Sequence, residues 1–423
     1  MTHKNSIVII GAGHSGGQVA IALREKGFKG TIDLIGQESH LPYERPALSK
    51  TFLLDHSAAE SLYFQNKGFY DDAGIVFHKA TAQSINRLQK CIQMSNGKSL
   101  SYQKLCLANG GRRRELAIEG AKLPGVLGLR TIEDALQLRT RLQAGQHLVI
   151  IGGGFIGLEL AASAIQLGLK VSLIQASEHL LARSVPLATA QKVQQVHQVK
   201  GVEFYMSCTP LKISQTVAGL GLQLELSDST SLLADTIVVG VGIELNTELA
   251  RLSGLKTDRG ILVNSYLQTS DPSIYAVGDI AQFPSPQGGH STIQETWNNA
   301  QTQAQTVANN LMATQEFVET QHQLSEHKNM AWFWSDQYEY QLQVMGEPSI
   351  ATNVVTREVS ENSHIDFYFK NQEWVACSAW GIGVEIIKDL KVIRTLFERR
   401  VALSPENALD ANIKWKVLLK NSN

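Results

Sequence analysis

Two segments of the chain repeat one pattern, in which an apolar strand leads into a glycine-rich turn and then into a helix. The first segment reads IVIIGAGHSGGQVA, from Ile7 to Ala20, and the second reads LVIIGGGFIGLELAASA, residues 148–164. Each is followed, at the spacing of a βαβ unit, by a further apolar strand. A chain with two such segments is expected to adopt an α/β fold with two Rossmann-like dinucleotide-binding domains.

The glycines of each turn have separate roles. The first permits the tight turn, the second lets the backbone approach a pyrophosphate, and the third allows the helix to pack closely on the strand. The phosphates then lie at the positive end of the helix. The residues that we assign to cofactor binding are Gly11, Gly13, Ser15 and Gly16 in the first turn, and Gly152, Gly154, Phe155, Ile156 and Gly157 in the second.

The residue that ends the second strand of each segment indicates which nucleotide binds. An acidic side chain there binds the ribose hydroxyls of the adenosine half. Glu38 is the candidate in the first segment, whereas Gln175 has this place in the second. Gln175 can hydrogen-bond a hydroxyl but does not repel a 2′-phosphate, so the choice between NADH and NADPH stays open. A permanently held FAD and an exchanging NAD(P)H, with hydride passing between them, explain two nucleotide sites on one chain.

Composition argues against several other classes of protein. The 423 residues are 43% hydrophobic and 18% charged, which supports folded cores, and the formal net charge of -1 gives no support to nucleic-acid or membrane-surface binding. The four cysteines form no CxxC pair, so we expect buried, inert thiols. No metal spacing such as HExxH occurs, and no metal is expected. MTHKNS leads directly into a strand and no long apolar run follows, so a cytoplasmic protein is expected.

Five segments of the chain resemble a known protein family. They read SHLPYERPALSK (39–50), IGGGFIGLELAASA (151–164), TSDPSIYAVGD (269–279), ETWNNAQTQA (295–304) and AWFWSDQYEYQLQVMG (331–346). In this order, they resemble the NADH-dependent ferredoxin reductases that serve bacterial Rieske oxygenases and cytochrome P450 systems. The resemblance covers essentially the whole chain, and the combination of PYERPALSK with WFWSDQY is its most specific part.

The resemblance implies a glutathione-reductase-like fold, in which an FAD domain is interrupted by an NAD domain and followed by a C-terminal α+β domain. The limits that we predict are 1–113 and 244–325 for the FAD domain, 114–243 for the NAD(P)H domain and 326–423 for the C-terminal domain. The C-terminal domain is predicted to alternate short strands and to close with a helix over residues 389–400.

The resemblance also implies a set of flavin and nicotinamide contacts. Lys50 would lie beside the flavin ring and Glu159 would approach it from the NAD domain, in a catalytic role where the carboxylate keeps the cation placed and charged. A solvated loop lysine and an acidic residue favoured by the helix N-terminus are the alternative interpretations. The other cofactor-binding residues that the family pattern implies are Arg45, Ala108, Asn109, Gly110, Arg130, Gly278, Asp279, Glu295, Thr296, Trp297 and Trp334.

Three positions depart from the family pattern. Asn109 stands in a turn that usually reads ATG, Ala331 stands where proline is common, and Gln175 replaces the acidic residue of many NADH-using relatives. Asparagine is a good hydrogen-bonding turn residue, so the first departure is expected to cost little. The third weakens the NADH assignment without overturning it.

The implied electron acceptor is a [2Fe–2S] ferredoxin, through which the chain would serve an oxygenase only indirectly. Such ferredoxins are commonly acidic, so docking favours a basic patch near the flavin. The candidates for this patch are Arg112, Arg113, Arg114 and residues 388–400. Two other functions stay open, a rubredoxin reductase of the same fold and an NADH-sensing interaction protein like apoptosis-inducing factor. A peroxidatic relative is disfavoured because PYERPALSK contains no cysteine.

Overall fold

The chain divides into two compact units. The computed structural model describes residues 5–55, 57–182, 184–216, 221–313 and 323–421. Unit 1 combines Met1–Pro46, Ser57–Arg112 and Ile243–Asn329, and unit 2 combines Ala47–His56, Arg113–Gly242 and Met330–Asn423. The first four residues of the predicted N-terminal run lie outside the described residues. Both units are therefore assembled from stretches that are distant in sequence.

Strands and helices alternate along most of the described chain. The strands, in chain order, are β1 (Ser6–Ile10), β2 (Thr31–Gly36), β3 (Ile75–Lys79), β4 (Ala82–Asn86), β5 (Cys91–Met94), β6 (Ser99–Ser101), β7 (Lys104–Leu107), β8 (Gly111–Arg113), β9 (Val126–Gly128), β10 (His147–Ile151), β11 (Lys170–Gln175), β12 (Val202–Met206), β13 (Pro210–Gln215), β14 (Leu222–Leu226), β15 (Ser231–Ala234), β16 (Thr236–Val239), β17 (Ile243–Leu245), β18 (Ile261–Leu262), β19 (Ile274–Ala276), β20 (Ala281–Pro284), β21 (Ser291–Thr292), β22 (Trp332–Gln337), β23 (Tyr340–Gly346), β24 (Asn353–Ser360), β25 (Ser363–Lys370) and β26 (Glu373–Ile382). The α-helices are α1 (His14–Glu25), α2 (Thr51–Leu54), α3 (Lys67–Asp72), α4 (Ile132–Arg139), α5 (Phe155–Gln166), α6 (Leu187–Val199), α7 (Glu248–Leu252), α8 (Trp297–Met312), α9 (Gly383–Glu398), α10 (Pro405–Leu409) and α11 (Trp415–Asn421). Short 3₁₀ helices cover Pro46–Ser49, Ala59–Leu62, Gly278–Ile280 and Pro348–Ile350.

Unit 1 is centred on a parallel sheet with the strand order β19-β7-β1-β2-β3. Its central strand β1 is fully buried and, after Ser6, apolar, as expected where both faces of a parallel sheet are covered. Ile7 and Ile9 pack with residues of helices α1 and α8, while Val8 and Ile10 pack with the antiparallel strands β4 to β6. The carboxyl end of β1 leads into the first glycine turn, so this sheet positions that turn.

Unit 2 contains a second parallel sheet, with the order β12-β11-β10-β16-β9. Val149 and Ile151 of its central strand β10 share a core with the antiparallel strands β13 to β15. Helix α5 packs against β10 and β11. The second glycine turn follows β10 directly, so the arrangement around β1 recurs here.

The C-terminal part of unit 2 is an antiparallel sheet with the order β22-β23-β26-β25-β24. Helix α9 buries Ile386, Leu390 and Ile393 against this sheet, at the spacing of one helix face. The prediction that the chain closes with this helix is wrong, because α10 and α11 follow it. Each is shorter than two turns, and Ser404 caps α10 by accepting a hydrogen bond from Asn407 N.

A buried polar network joins α6 to the C-terminal sheet within unit 2. Thr189 Oγ1 donates to Asp366 Oδ2 (2.6 Å) and accepts from His364 Nε2 (2.8 Å). Thr356 Oγ1 donates to Asp366 Oδ1 (2.7 Å), and Ser378 Oγ donates to Asp366 Oδ2 (3.0 Å). His364 and Asp366 are each 1% exposed. One buried carboxylate thus accepts hydrogen bonds from both the helix and the sheet.

The two parallel sheets and the C-terminal sheet with its helices confirm the predicted fold class. The prediction of four buried thiols is wrong for one of them: Cys91 is half-buried at the start of a short strand, while Cys106, Cys208 and Cys377 are buried. Among the described helices, none has both the length and the apolar character to cross a membrane.

Candidate functional site

The first glycine turn lies in unit 1, between β1 and α1. Gly11 has a φ of +110°, and a Cβ there would lie 2.2 Å from Ala108 O, so only glycine fits. A Cβ at Gly16 would lie 1.8 Å from Gly11 O, which measures how closely α1 packs on the turn. At Gly13, the N-cap of α1, a Cβ would meet only Arg45 Nη2, at 3.8 Å, and glycine has no side chain to cap the helix. This uncapped helix N-terminus with space in front of it fits a pyrophosphate.

Glu38 follows β2 and is held by two neighbours. Its carboxylate accepts hydrogen bonds from Arg45 Nη2 (2.5 Å) and from Tyr43 OH (2.5 Å). The side chains of Glu38 and Arg45 keep 27% and 26% of their exposure. The carboxylate is therefore oriented but still accessible, as a contact to ribose hydroxyls requires. The structure brings together two residues that the sequence assigned separately to the nucleotide and the flavin.

Asn109, in the turn Ala108–Gly110 after β7, is fixed by an exchange of hydrogen bonds. Asn109 Nδ2 donates to Asn246 O (2.8 Å), and Asn246 Nδ2 donates to Asn109 O (2.8 Å). Within the described part of the chain, no donor reaches the buried Asn109 Oδ1. A buried acceptor without a protein donor fits a polar ligand at this turn.

Gly278 and Asp279 follow β19 and lie close to helix α1. A Cβ at Gly278 would lie 2.1 Å from Ser15 Oγ, so the two segments approach closely. Gly278 N donates to the buried Gln303 Oε1 (2.7 Å), which fixes the strand end to α8. Asp279 also acts electrostatically on Arg45. These residues, far apart in sequence, therefore gather near the first glycine turn.

Helix α8 begins at the predicted flavin-pocket residues. Thr296 is its N-cap and accepts a backbone hydrogen bond, a structural role that the sequence pattern did not reveal. Trp297 lies edge-on to His14, with ring centroids 5.0 Å apart. His14 Nε2 pairs with Gln301 Oε1 (3.1 Å), and burial lowers the pKa of His14 to about 4, so the ring is neutral at pH 7. Glu295 is exposed.

The second glycine turn lies in unit 2, between β10 and α5. Gly152 has a φ of +116°, and a Cβ there would lie 2.4 Å from Gly240 O. A Cβ at Gly157 would lie 2.0 Å from Gly152 O. At Gly154, the N-cap of α5, a Cβ would meet no atom within 4 Å, and glycine has no side chain to cap the helix. This turn fits a pyrophosphate on the same grounds as the first.

Gln175, at the end of β11, uses its amide to shape the second turn. Its Oε1 accepts from Gly153 N (2.8 Å), and its Nε2 donates to Ser177 Oγ (2.5 Å) and His179 O (3.4 Å). The side chain is half-buried and uncharged. It therefore lies beside the turn, without a charge that would discriminate against a 2′-phosphate, and its contact to a nucleotide stays a prediction.

Three aromatic and apolar residues that we predict to bind cofactor lie on α5 and β22. Phe155 packs against Phe333, with ring centroids 4.9 Å apart, and Ile156 is 48% exposed. Trp334 stacks on Trp332 at 5.1 Å. Phe333 and Trp332 are contacts that the sequence pattern did not assign, although both lie in the quoted WFWSDQY segment.

Arg130 precedes α4, whose first turn is closed by a capping box. Asp134 N donates to Thr131 Oγ1 (3.1 Å), and Thr131 N donates to Asp134 Oδ2 (3.0 Å). Arg130 N donates to the same carboxylate (2.9 Å). The backbone at Arg130 is therefore fixed, while the contact of its side chain to a nucleotide stays a prediction.

Lys50 and Glu159, the two predicted catalytic residues, form an ion pair in unit 2 in which Glu159 is buried and Lys50 is half-buried. Lys50 Nζ lies 3.1 Å from Glu159 Oε1, and their side chains are 17% and 7% exposed. Glu159 also accepts from Ser49 Oγ (2.6 Å) and Ser335 Oγ (2.7 Å), while Asp336 Oδ2 lies 3.2 Å from Lys50 Nζ. Burial raises the pKa of Glu159, against the opposing effects of Lys50 and the two serines. A solvated loop lysine does not describe Lys50.

Sequence reasoning assigned no role to Ser49, Ser335 or Asp336. A signal was present, because Ser335 and Asp336 follow three aromatic residues in a strand, where aspartate is disfavoured. The partner of that polar pair could not be found from the sequence, since Ser335 and Glu159 are 176 positions apart.

The predicted docking arginines are partly neutralised locally. Arg112 pairs with Glu244 (2.9 Å) in unit 1, and Arg394 pairs with Glu398 (2.8 Å) on α9. Among the described residues, no group of three or more His, Cys, Asp or Glu side chains is arranged to hold a metal ion.

Comparison with known proteins places these features in a family. The family model described as "Pyridine nucleotide-disulphide oxidoreductase" matches residues 5–304, and the model described as "Reductase C-terminal" matches residues 332–419. The ferredoxin–NAD(+) reductase component of a p-cumate 2,3-dioxygenase system from Pseudomonas putida is 34% identical, over 97% of each chain. A rubredoxin–NAD(+) reductase from Ectopseudomonas oleovorans is 37% identical over 81% of this chain and 86% of its own. The solved ferredoxin reductase for the CYP199A2 system from Rhodopseudomonas palustris is 34% identical, with a TM-score of 0.91 over 99% of this chain and 100% of its own.

Proposed function

Because the chain belongs to the pyridine nucleotide-disulphide oxidoreductase family, whose members depend on FAD and NAD(P)H, we propose that it is an NADH-dependent ferredoxin reductase. It passes electrons through FAD to a [2Fe–2S] ferredoxin, which in turn feeds a Rieske dioxygenase or a cytochrome P450. A cytoplasmic location is part of the proposal, since the reaction needs a renewable supply of NADH.

The observation that carries the proposal is the pair of uncapped helix N-termini, one after each glycine turn. An enzyme with a single nucleotide needs only one such site. We assign FAD to the turn in unit 1, where Arg45, Asn109 and Asp279 add polar contacts, and NADH to the turn in unit 2. With this assignment the FAD domain is 1–113 and 244–325, the NAD(P)H domain is 114–243, and the C-terminal domain is 326–423.

The residues bind and orient the two nucleotides and exclude water. When bound, NADH supplies a hydride to FAD, which releases the electrons singly to an iron–sulfur acceptor. Lys50 would supply a positive charge to the bound nucleotides, and Glu159 holds that charge in place from 3.1 Å. Glu38 orients one ribose, and Trp334 supplies an aromatic plane that shields a ring from water.

A rubredoxin is the second candidate acceptor. The relative from Ectopseudomonas oleovorans, which is 37% identical, is a rubredoxin–NAD(+) reductase, so the same fold serves both acceptors. Ferredoxin is preferred because the p-cumate dioxygenase relative matches 97% of this chain, including its C-terminal part, whereas the rubredoxin reductase matches 81%.

The test is steady-state reduction of cytochrome c by the FAD-loaded protein with NADH. We expect rapid reduction only when a [2Fe–2S] ferredoxin is added, and slow reduction with a rubredoxin in its place. Faster reduction with rubredoxin would reassign the acceptor. If NADH supports only negligible reduction of cytochrome c with either acceptor, the proposed reductase function is wrong and an NADH-sensing protein is favoured.

A further inference from the structure

Strand β22 brings two adjacent side chains to the Lys50–Glu159 pair within unit 2. Ser335 Oγ donates to Glu159 Oε1 (2.7 Å), and Asp336 Oδ2 lies 3.2 Å from Lys50 Nζ. Lys50 Nζ lies almost equally far from Glu159 Oε1, at 3.1 Å. One strand of the C-terminal sheet therefore contacts both members of the pair, which come from outside that sheet.

The Ser335 hydroxyl is committed to donating to Glu159. Gln337 Nε2 donates to Ser335 Oγ (3.1 Å), so the single hydroxyl hydrogen is left for the carboxylate. The Gln337 amide is oriented in turn by His197, whose Nε2 pairs with Gln337 Oε1 at 2.9 Å. Ser335, Gln337 and His197 are all fully buried, so water does not substitute for any of these contacts. Each residue in the series His197, Gln337, Ser335 therefore donates a hydrogen bond to the next, and Ser335 donates to Glu159.

Asp336 is held in place by a neighbour on β23. Gln341, its cross-strand partner on β23, donates from Nε2 to Asp336 Oδ1 (2.8 Å). The other carboxylate oxygen is therefore directed at Lys50. The Asp336 side chain is 43% exposed, so replacing it does not open a cavity in the core.

We propose that Ser335 and Asp336 are positioning residues that set the charge of Glu159 in opposite senses, Ser335 by donating to its carboxylate and Asp336 by sharing Lys50 with it. The proposal rests on the proposed function, in which Lys50 and Glu159 act at the nucleotides. The charged groups that face Glu159 among the described residues are Lys50 and, through Lys50, Asp336. Its other close partners, the hydroxyls of Ser49 and Ser335, are neutral donors.

The two residues predict opposite changes in one measurable quantity. Burial raises the pKa of Glu159, and the hydrogen bond from Ser335 is one of the contacts that counteract this. Ser335→Ala removes that contact, so the pKa of Glu159 rises further, by about one unit for one lost hydrogen bond to a buried carboxylate. Asp336→Asn removes a negative charge and leaves Lys50 to Glu159 alone, so the same pKa falls. If the substitutions acted only by disrupting β22, the pKa of Glu159 would shift in the same direction in both variants.

The experiment is an infrared titration of the full-length, FAD-loaded protein, following the carbonyl stretch of a protonated carboxylic acid. Glu159→Gln identifies the Glu159 band by its loss. We expect the Glu159 midpoint to rise by about one pH unit in Ser335→Ala and to fall in Asp336→Asn. Ser378→Ala is the matched control for the first variant, because Ser378 donates to the buried Asp366 on the same sheet. Glu339→Gln is the control for the second, since Glu339, in the turn of the same hairpin, pairs with Lys200 at the end of α6, with Nζ 3.1 Å from Oε1.

The proposal would be overturned if the Glu159 midpoint shifted with the same sign in both variants or did not shift in either. An equal shift in a control variant would also overturn it. Asp336→Asn keeps the test decisive if Ser335→Ala does not fold, since any rise or constancy of the midpoint contradicts the proposal. The pH dependence of flavin reduction by NADH is measured in the same variants. Should the infrared midpoints move as expected while the rates do not follow, the positioning roles stand and the catalytic role of Glu159 in the proposed function is wrong.

Discussion

At the second glycine turn, the structure predicts different effects for alanine substitutions at two glycines. At Gly154 a Cβ would meet no atom within 4 Å, and the backbone has φ -84° and ψ -175°, which alanine adopts freely. At Gly157 a Cβ would lie 2.0 Å from Gly152 O. We expect Gly154→Ala to leave the protein folded and to weaken coenzyme binding, and Gly157→Ala to destabilise the protein.

The magnitudes follow from these distances. Gly157→Ala forces a backbone shift of an overpacked site, which costs about 1–3 kcal/mol. In a unit of this size that lowers Tm by about 2–12 °C. For Gly154→Ala, alanine is a poorer N-cap than glycine, which destabilises the folded state, but it also restricts the unfolded chain, which stabilises the folded state. Each effect is about 0.5–1 kcal/mol, so we expect Tm to change little. The added methyl occupies the space in front of the helix N-terminus, and we expect the Kd for NAD⁺ to rise about tenfold, or about 1.4 kcal/mol.

Thermal unfolding and equilibrium dialysis with NAD⁺ measure the two effects separately. Both use the FAD-loaded protein, and the flavin absorbance confirms that unit 1 is occupied in each variant. Gly154→Ala with an unchanged Kd for NAD⁺ would refute the placement of the coenzyme at this turn. A Tm for Gly154→Ala as low as that of Gly157→Ala would refute the steric reasoning.

Two further predictions concern single side chains of unit 2. Gln175→Glu should raise the ratio of kcat/KM for NADH to that for NADPH by about tenfold, because a carboxylate beside the turn repels the 2′-phosphate; parallel steady-state assays with both coenzymes check this. Burial opposes ionisation of Asp366, but the adjacent His364 and hydrogen bonds from Thr189 and Thr356 hold its pKa below the usual range, so the folded state gains stability above the ordinary aspartate pKa of about 4. Asp366→Asn should therefore cost about 1–3 kcal/mol at pH 7, and denaturant titrations should show the difference vanishing as pH falls through the folded-state pKa.

Local patterns were sufficient to predict the elements that hold the nucleotides. The four residues before Gly11 and the four before Gly152 are all apolar because both faces of a central parallel strand are buried, and the glycines that follow are required by close backbone approach. Each turn is therefore determined by residues that are adjacent in the sequence. Fold class and both turns could be predicted for this reason.

The polar cluster at Lys50 could be predicted only in part. Lys50 and Glu159 were identified through the family resemblance, but Asp336 lies 286 positions from Lys50, and nothing local indicates that an edge strand of the C-terminal sheet reaches it. The side-chain direction of Ser335 depends on the register of β22 against β23, which is a tertiary property. The helices α10 and α11 were missed because they are too short to show a periodic apolar face.

The hydroxyl of Thr189 has a consequence for attempts to recombine this protein with its relatives. It lies on α6 but finds its acceptor, Asp366, on the C-terminal sheet. A graft of residues 330–421 from a donor that lacks a carboxylate at this place would bury the host threonine with no oxygen to receive its proton. Chimeras of this enzyme should accordingly carry both residues from the same parent.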